Sequence, residues 1–308
     1  MPADISPQDV QKLVDTAKVM GYTGRYIPLG GGEGNDTFVL DCAGTNLILR
    51  VARYSELNKL GHEAQALRLL NLDQVPKLVY FDDSQHIHGK AWILESHLEG
   101  GQVESLSTKQ FESLGELLAK VHRVHSDEPS NLNFWQEFID TKRPFGDEQA
   151  FLNHPDDTLK KLIRKSKDYF LSHKLYDVVP SLIHGDISLG NMLIDGETVS
   201  LIDWEYSRFT DPMADFSTLF YEDMEQNQGK WRMRIKEPEK DALFIGYTAA
   251  GGVINEQRLK AWHNFDKLGG AVYFYWKMHH SGHTISLEQT ALYKEELDKL
   301  LVSLEQNL

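Results

Sequence analysis

The strongest constraint on the fold is a change in the pattern of elements near residue 100. Residues 22–98 consist mostly of short strand-like runs, interrupted by one helical segment at 55–70. After Gly100 the apolar residues recur at helical spacing over long stretches. The sequence therefore predicts an α+β protein. We expect a small β-rich N-terminal lobe, residues 1–98, and a larger, mostly helical C-terminal lobe, residues 99–308.

Local signals place several elements more closely. Ser6 and Pro7 fit the cap and first position of a helix, which we expect to end at Gly21. The runs DTFVLD and NLILRVA, joined by CAGT, predict a hairpin. Ser55 is the expected cap of the helix that follows, and Leu57, Leu60, Ala64 and Leu67 share one of its faces.

Composition excludes several classes of function. The formal net charge is −14, and binding to a nucleic-acid backbone needs a basic surface, so we expect no nucleic-acid partner. There is no run of 18 apolar residues, which predicts no membrane span. Cys42 is the one cysteine, so neither an intrachain disulfide nor a cysteine-built zinc site is expected. A reducing cytoplasm fits these features, and the oligomeric state stays open.

Two features of the β-rich part could bind phosphate. The stretch LGGGEGND at 29–36 could close backbone N–H groups over phosphates, or could be a turn between elements. Arg50 lies in an otherwise apolar strand and needs a partner if it is buried. Glu63 on the next helix is the expected partner, with a solvent-exposed edge-strand arginine as the alternative.

The segment LIHGDISLGNMLIDGETVSLIDWEYSRFTDP, residues 182–212, concentrates polar side chains among strand-like runs. MLID and VSLID predict a hairpin that brings Asn191 and Asp203 together. An amide oxygen and a carboxylate suit Mg²⁺, which also takes phosphate oxygens. Asp186 could then accept a hydroxyl proton, as phosphoryl transfer requires. For His184 a structural role within the loop is expected, because buried polar groups need partners.

The residues H-G-D-I-S-L-G-N, followed by L-I-D-W-E, resemble the aminoglycoside phosphotransferase and choline kinase superfamily, which has a protein-kinase-like fold. The order of glycine stretch, Arg50, Glu63, ILESHLEG and catalytic loop extends the resemblance over most of the chain. Gly185 and Trp204 replace the middle residues of the H-R-D and D-F-G motifs of protein kinases, and no A-P-E segment is present. These departures argue against a protein substrate.

The resemblance implies a role for each matching residue. Asp186 would be the catalytic base, and Asn191 and Asp203 would hold Mg²⁺. Asp215, in DPMADF, would brace the catalytic loop. The implied cofactor is ATP, with GTP left open, and backbone groups between Glu95 and Leu98 would hydrogen-bond its adenine. The residues implied to bind the nucleotide are Gly31, Gly32, Gly34, Asn35, Arg50, Glu63, Glu95 and His97.

The acceptor is less constrained. Tyr273 and Trp276 are three residues apart on a late helix. Their rings could bind a cation through cation–π contacts, or could be ordinary core. Glu205 and Glu222 could bind a cationic acceptor such as an aminoglycoside or a choline-like amino alcohol. The alternatives are a kinase of a neutral sugar-like or hydroxy-acid metabolite, and a kinase-fold protein that binds nucleotide without catalysis.

Overall fold

The structure is a computed structural model and describes residues 5–30, 34–53, 59–85, 89–126, 154–220, 235–280 and 286–307. The N-terminal part is a five-stranded antiparallel sheet in which the fifth strand along the chain lies between the third and the fourth. Its strands are β1 (Tyr22–Gly30), β2 (Asn35–Cys42), β3 (Thr45–Ala52), β4 (Leu78–Asp82) and β5 (Trp92–Ser96). The predicted hairpin is confirmed, since β2 and β3 pair across a two-residue turn at 43–44.

The two faces of this sheet have different neighbours. One face buries apolar residues of alternating strand positions, among them Phe38, Leu40 and Leu49, against helix α1 (Pro7–Thr16). Directly paired residues in a sheet share a face, so Ile27, Val39, Ile48 and Glu95 form one row across β1, β2, β3 and β5 on the opposite side. We call these four residues the cross-sheet row.

Helix α1 begins as predicted but ends earlier. The Ser6 hydroxyl accepts from the backbone N–H of Asp9 at 3.1 Å, which confirms the cap. The expected end at Gly21 is wrong, because the helix stops at Thr16 and Lys18 already has a φ of 54°. Gly21, with a φ of 78°, instead turns the chain into β1.

The inserted helix, α2 (Leu60–Leu69), buries Leu60, Ala64 and Leu67 as predicted. Ser55 and Leu57 lie outside the described residues. The later helices are α3 (Thr108–Val121), α4 (Asp157–Ser172), α5 (Met213–Leu219), α6 (Glu237–Ala249), α7 (Glu256–His279) and α8 (Leu287–Asn307). The α+β prediction is confirmed, whereas the boundary between residues 98 and 99 stays a prediction. None of the helices in the described ranges has the length and apolar character needed to cross a membrane.

Two small sheets lie between α4 and α5. Strand β6 (Ser181–Ile183) pairs with β9 (Arg208–Thr210), and β7 (Met192–Asp195) pairs with β8 (Thr198–Leu201). The second pair is the hairpin predicted from MLID and VSLID. A short 3₁₀ turn at Leu189–Asn191 leads into it, so the polar residues of this segment lie at strand ends.

Helices α3 and α6 approach each other unusually closely at two glycines. A Cβ on Gly115 would lie 2.0 Å from the carbonyl oxygen of Leu243, and one on Gly246 would lie 2.0 Å from that of Glu112. Any larger side chain at either position would push the helices apart. This contact fixes the spacing between two helices that each contribute a residue to the site described below.

Candidate active site

Arg50 joins the sheet, helix α2 and the segment after β8. One terminal nitrogen donates to both carboxylate oxygens of Glu63 at 2.5 and 2.6 Å, and the other donates to Oδ1 of Asp203 at 2.6 Å. Arg50 and Glu63 are both buried, so each needs the other as a partner. The pairing expected from sequence is present, and the alternative of a solvent-exposed arginine is wrong.

Acidic groups outnumber the two buried cations here, Arg50 and Lys59. Glu205 lies 3.8 Å from Arg50, and Glu95 belongs to the same charged group. Burial raises the pKa of Glu63 to about 7, against the lowering effect of Arg50. Burial, followed by the charge of Glu63, raises the pKa of Glu95 well above its ordinary value. Burial thus favours the neutral form of these carboxyl groups, and a cation bound beside them would favour their ionised form.

The glycine stretch is anchored to this charged group. The side-chain amide of Asn35 donates to Glu205 at 2.6 Å, and a Cβ on Gly34 would lie 3.5 Å from the same carboxylate. Glu205 was predicted to bind the phosphoryl acceptor, but it lies among the residues predicted to bind the nucleotide. Burial and then Asp203 raise its pKa. Gly31 and Gly32 lie outside the described residues.

The catalytic loop brings Asp186 and Asn191 into contact. The amide nitrogen of Asn191 donates to the carboxylate of Asp186 at 3.0 Å and to its backbone carbonyl at 2.9 Å. Because that nitrogen is engaged, the amide oxygen is the atom left to ligate a cation. The N–H of Ile202 donates to the Asn191 carbonyl at 3.0 Å, so the hairpin brings Asp203 beside Asn191.

These residues fit a magnesium ion that completes its shell with phosphate and water. Asn191 and Asp203 supply one amide oxygen and one carboxylate, both hard ligands. Among the described residues there is no cluster of three or more histidine, cysteine or acidic side chains arranged to hold a metal. Asp203 has a φ of 67°, which is unusual outside glycine and is typical of strained functional positions.

Asp215 holds the catalytic loop through two backbone groups. Its carboxylate accepts from the N–H of His184 at 2.9 Å and from that of Gly185 at 2.7 Å. Gly185 is required there, because its φ is 81° and a Cβ would lie 2.4 Å from the carbonyl of Tyr206. The His184 ring bonds the carbonyl of Ile202 at 3.0 Å, which is the structural role predicted for it.

Two further residues of this brace were not predicted. Nε2 of His122, at the end of α3, lies 3.0 Å from Asp215, and its Nδ1 lies 2.9 Å from the hydroxyl of Tyr247 on α6. Burial alone would raise the pKa of Asp215, but the hydrogen bond from His122 keeps it below its ordinary value. The signal that could have found His122 is its position four residues after Leu118, on the apolar face of α3.

Glu95 lies near the end of β5, and His97 directly follows that strand. Glu95 is 3% exposed, and its Oε2 has no hydrogen-bond partner among the described residues. The N–H of His97 makes a long hydrogen bond of 3.4 Å to the carbonyl of Asn46. Glu95 thus faces the charged group through its side chain, in addition to the backbone role implied by the resemblance.

The predicted acceptor residues are dispersed. Tyr273 packs in a cluster with Phe274 and Tyr293, and Lys277 lies 5.4 Å above its ring. Trp276 is partly buried against the main core instead. Glu222 lies outside the described residues. The structure therefore does not gather these side chains into one described pocket.

Comparison with known proteins adds independent evidence. The LicA protein of Haemophilus influenzae is 23% identical over 196 residues, which cover 62% of this chain and 56% of LicA. A choline/ethanolamine kinase family protein from Mesorhizobium loti superposes with a TM-score of 0.62 at 17% identity, covering 97% and 94% of the two chains. The streptomycin–ATP ternary complex of APH(2″)-IIa gives a TM-score of 0.62 at 18% identity, covering 99% and 97%.

These superpositions confirm the predicted protein-kinase-like fold. The model of the phosphotransferase enzyme family matches residues 25–262, a span that includes the glycine stretch, Arg50, the catalytic loop and Asp215. The match extends over more than half of the 308 residues. It agrees with the site geometry and with the order of motifs on which the predicted resemblance rests. The chain belongs to the phosphotransferase enzyme family.

Proposed function

We propose that this protein is an ATP-dependent, Mg²⁺-requiring kinase that moves the γ-phosphate to a hydroxyl group of a small cationic acceptor. Asp186 orients the hydroxyl and accepts its proton. Asn191 and Asp203 hold the metal, and Arg50 binds phosphate oxygens while Glu63 fixes its orientation. Mg²⁺ neutralises charge on the transferred group.

The observation that carries this proposal is the Arg50 ion-pair group beside the Asp186–Asn191 contact. Arg50 donates to Asp203 at 2.6 Å, and Asn191 donates to Asp186 at 3.0 Å. Phosphoryl transfer depends on positioning and charge neutralisation, and these residues supply both functions. A protein that bound nucleotide without catalysis would have no need to keep the Asp186–Asn191 contact.

The cationic nature of the acceptor rests on weaker support. The chain has a net charge of −14, and acidic residues outnumber basic ones around Arg50. Proteins of similar fold include a streptomycin complex and a choline/ethanolamine kinase family protein. An aminoglycoside or a choline-like amino alcohol is therefore the proposed acceptor class. The proposed compartment is the cytoplasm.

Turnover of acceptors with ATP and Mg²⁺ tests the proposal. Asp186→Asn should slow phosphoryl transfer by about 10²–10⁴-fold and leave ATP affinity nearly unchanged, because a positioned proton acceptor contributes that much. Asp195→Asn is the matched control, since Asp195 is an exposed carboxylate on the hairpin that follows the catalytic loop. It should retain full activity.

Three results would contradict parts of the proposal. Wild-type turnover in Asp186→Asn would remove Asp186 as the base. Nucleotide binding without turnover on any amine, sugar or hydroxy acid would favour a non-catalytic binding protein. Faster phosphorylation of a neutral sugar or hydroxy acid than of any amine would leave the kinase assignment intact and remove the cationic acceptor.

A further inference from the structure

The side chain of Glu95 is unexplained by the roles assigned so far. It is 3% exposed, and its Oε2 is fully buried without a hydrogen-bond partner among the described residues. A buried polar atom without a partner is costly and is often completed by a ligand. Glu95 is also the last buried residue of β5 before the segment that links the sheet to the helical part.

The side chains around Glu95 form a surface on which a planar base could stack. The cross-sheet row places three aliphatic side chains beside it on the same face of the sheet. Ile27 is 61% exposed, and Val39 and Ile48 are half-buried, so this apolar surface is accessible to a ligand. A purine could stack under the row with its edge toward Glu95.

The position of Arg50 orients the nucleotide along the sheet. In the strand register, Arg50 lies opposite Thr37, and Thr37 lies opposite Gly30 at the glycine stretch. Ile48 lies opposite Glu95. Ile48 and Arg50 are two residues apart on one strand, a rise of about 7 Å. Phosphates held at Arg50 would therefore leave the base at the Glu95 end.

We propose that the Glu95 side chain determines base specificity, by accepting a hydrogen bond from the 6-amino group of adenine. This inference rests on the proposed function as an ATP-dependent kinase. A carboxyl group keeps an accepting oxygen whether or not it is protonated. Guanine presents a carbonyl oxygen at position 6, which cannot donate to that accepting oxygen, so this hydrogen bond is available to adenine and not to guanine.

The test compares two diphosphates that differ only at position 6. ADP carries the amino group, and purine riboside 5′-diphosphate lacks it. Calorimetry with Mg²⁺ should show that wild type binds ADP about tenfold more tightly, the usual effect of a hydrogen bond to a buried carboxyl group. In Glu95→Met the ratio should fall below about twofold, because the acceptor is lost.

Two controls separate base recognition from folding. Glu95→Gln keeps an accepting oxygen and should keep the ADP preference within about threefold of wild type. Glu99→Met removes a carboxylate that is 91% exposed on the same linking segment, and it should change neither affinity. Glu95→Met should not lower the melting temperature, since it replaces a buried carboxyl whose Oε2 lacks a hydrogen-bond partner among the described residues with an apolar chain of similar length.

The outcomes distinguish this inference from the proposed function. Equal binding of both diphosphates by wild type, or full discrimination in Glu95→Met, would overturn the Glu95 assignment and leave the kinase intact. If Glu95→Met failed to fold, loss of the preference in Glu95→Gln would overturn the assignment and its retention would support it. A wild-type protein that bound neither diphosphate would overturn both proposals.

Discussion

At the scale of single residues, the site depends on how Arg50 is shared among carboxylates. Its guanidinium donates to both Glu63 and Asp203. In the proposed function Glu63 orients Arg50, whereas Asp203 holds the metal. Phosphate binding at Arg50 and metal binding at Asp203 must therefore weaken an existing ion pair. Phosphate would replace Asp203 as the charge partner of Arg50, and the metal would replace Arg50 as the charge partner of Asp203. We therefore expect the metal and the phosphates to bind together.

This sharing leads to a prediction for Asp203. Asp203→Ala should abolish the Mg²⁺ dependence of ATP binding, because phosphate charge is then left uncompensated. The measurement is ATP affinity by calorimetry with and without Mg²⁺, with Asp195→Asn as the control carboxylate. Undiminished, Mg²⁺-dependent affinity in Asp203→Ala would refute the metal assignment.

Glu63 provides a prediction about pH. Its folded pKa is about 7, above the ordinary value of 4.5, so between these values the folded state holds a proton that the unfolded state has lost. The stability that this proton contributes is complete below pH 4.5 and is lost as pH rises through 7. The stability of wild type relative to Glu63→Gln should therefore decline between about pH 4.5 and 7, by up to about 3 kcal/mol. Urea unfolding across this range measures it, and a rising difference would contradict the shift.

At the scale of elements, the brace on the catalytic loop depends on the close packing of α3 against α6. His122 ends α3 and Tyr247 lies on α6, and the 2.9 Å contact between them supports the 3.0 Å contact to Asp215. Gly115 and Gly246 set the distance between the two helices. The loop geometry is thus determined partly by glycines that lie outside the loop.

Gly246→Ala tests this dependence. A methyl group would lie 2.0 Å from the carbonyl of Glu112, so the helices must separate. We expect a loss of about 1–3 kcal/mol of stability, together with reduced turnover. Gly61→Ala is the matched control, because a Cβ there meets only Phe81 at 3.8 Å. It should be neutral or slightly stabilising, since alanine favours helix over glycine. Equal stability of the two variants would contradict the packing argument.

At the scale of the whole molecule, the acceptor assignment depends on the late helices. Trp276 lies in the C-terminal half of α7 and packs partly against the main core. Its ring could therefore be core, acceptor wall, or both. A variant that keeps apolar volume but removes the aromatic face distinguishes these roles better than truncation does.

Trp276→Leu should weaken binding of a cationic acceptor by roughly threefold to thirtyfold and leave ATP affinity unchanged, the range expected for a cation above an indole ring. Trp276→Phe keeps an aromatic face and should lose less. The measurement is the KM for an amine acceptor with each variant. Lower stability with an unchanged KM would identify the ring as core alone.

The sequence by itself determined the features that depend on neighbours along the chain. The α+β division follows from apolar periodicity, and the hairpin that brings Asp203 beside Asn191 follows from two short strand patterns. The Arg50–Glu63 pair joins residues only 13 apart, within one strand–helix unit, and burial of a charge demands such a partner. These predictions needed no knowledge of distant packing.

Only the tertiary structure decided which distant side chains complete the site. His122 and Asp215 are 93 residues apart, and Asn35 and Glu205 are 170 apart, so no local pattern links them. The end of α1 was misplaced because Gly21 serves the turn into β1 rather than the helix. Glu95 was predicted only through its backbone, since strand pairing and burial together decide where its carboxyl group lies. Periodicity and capping act over a few residues, whereas packing selects contacts across the whole chain.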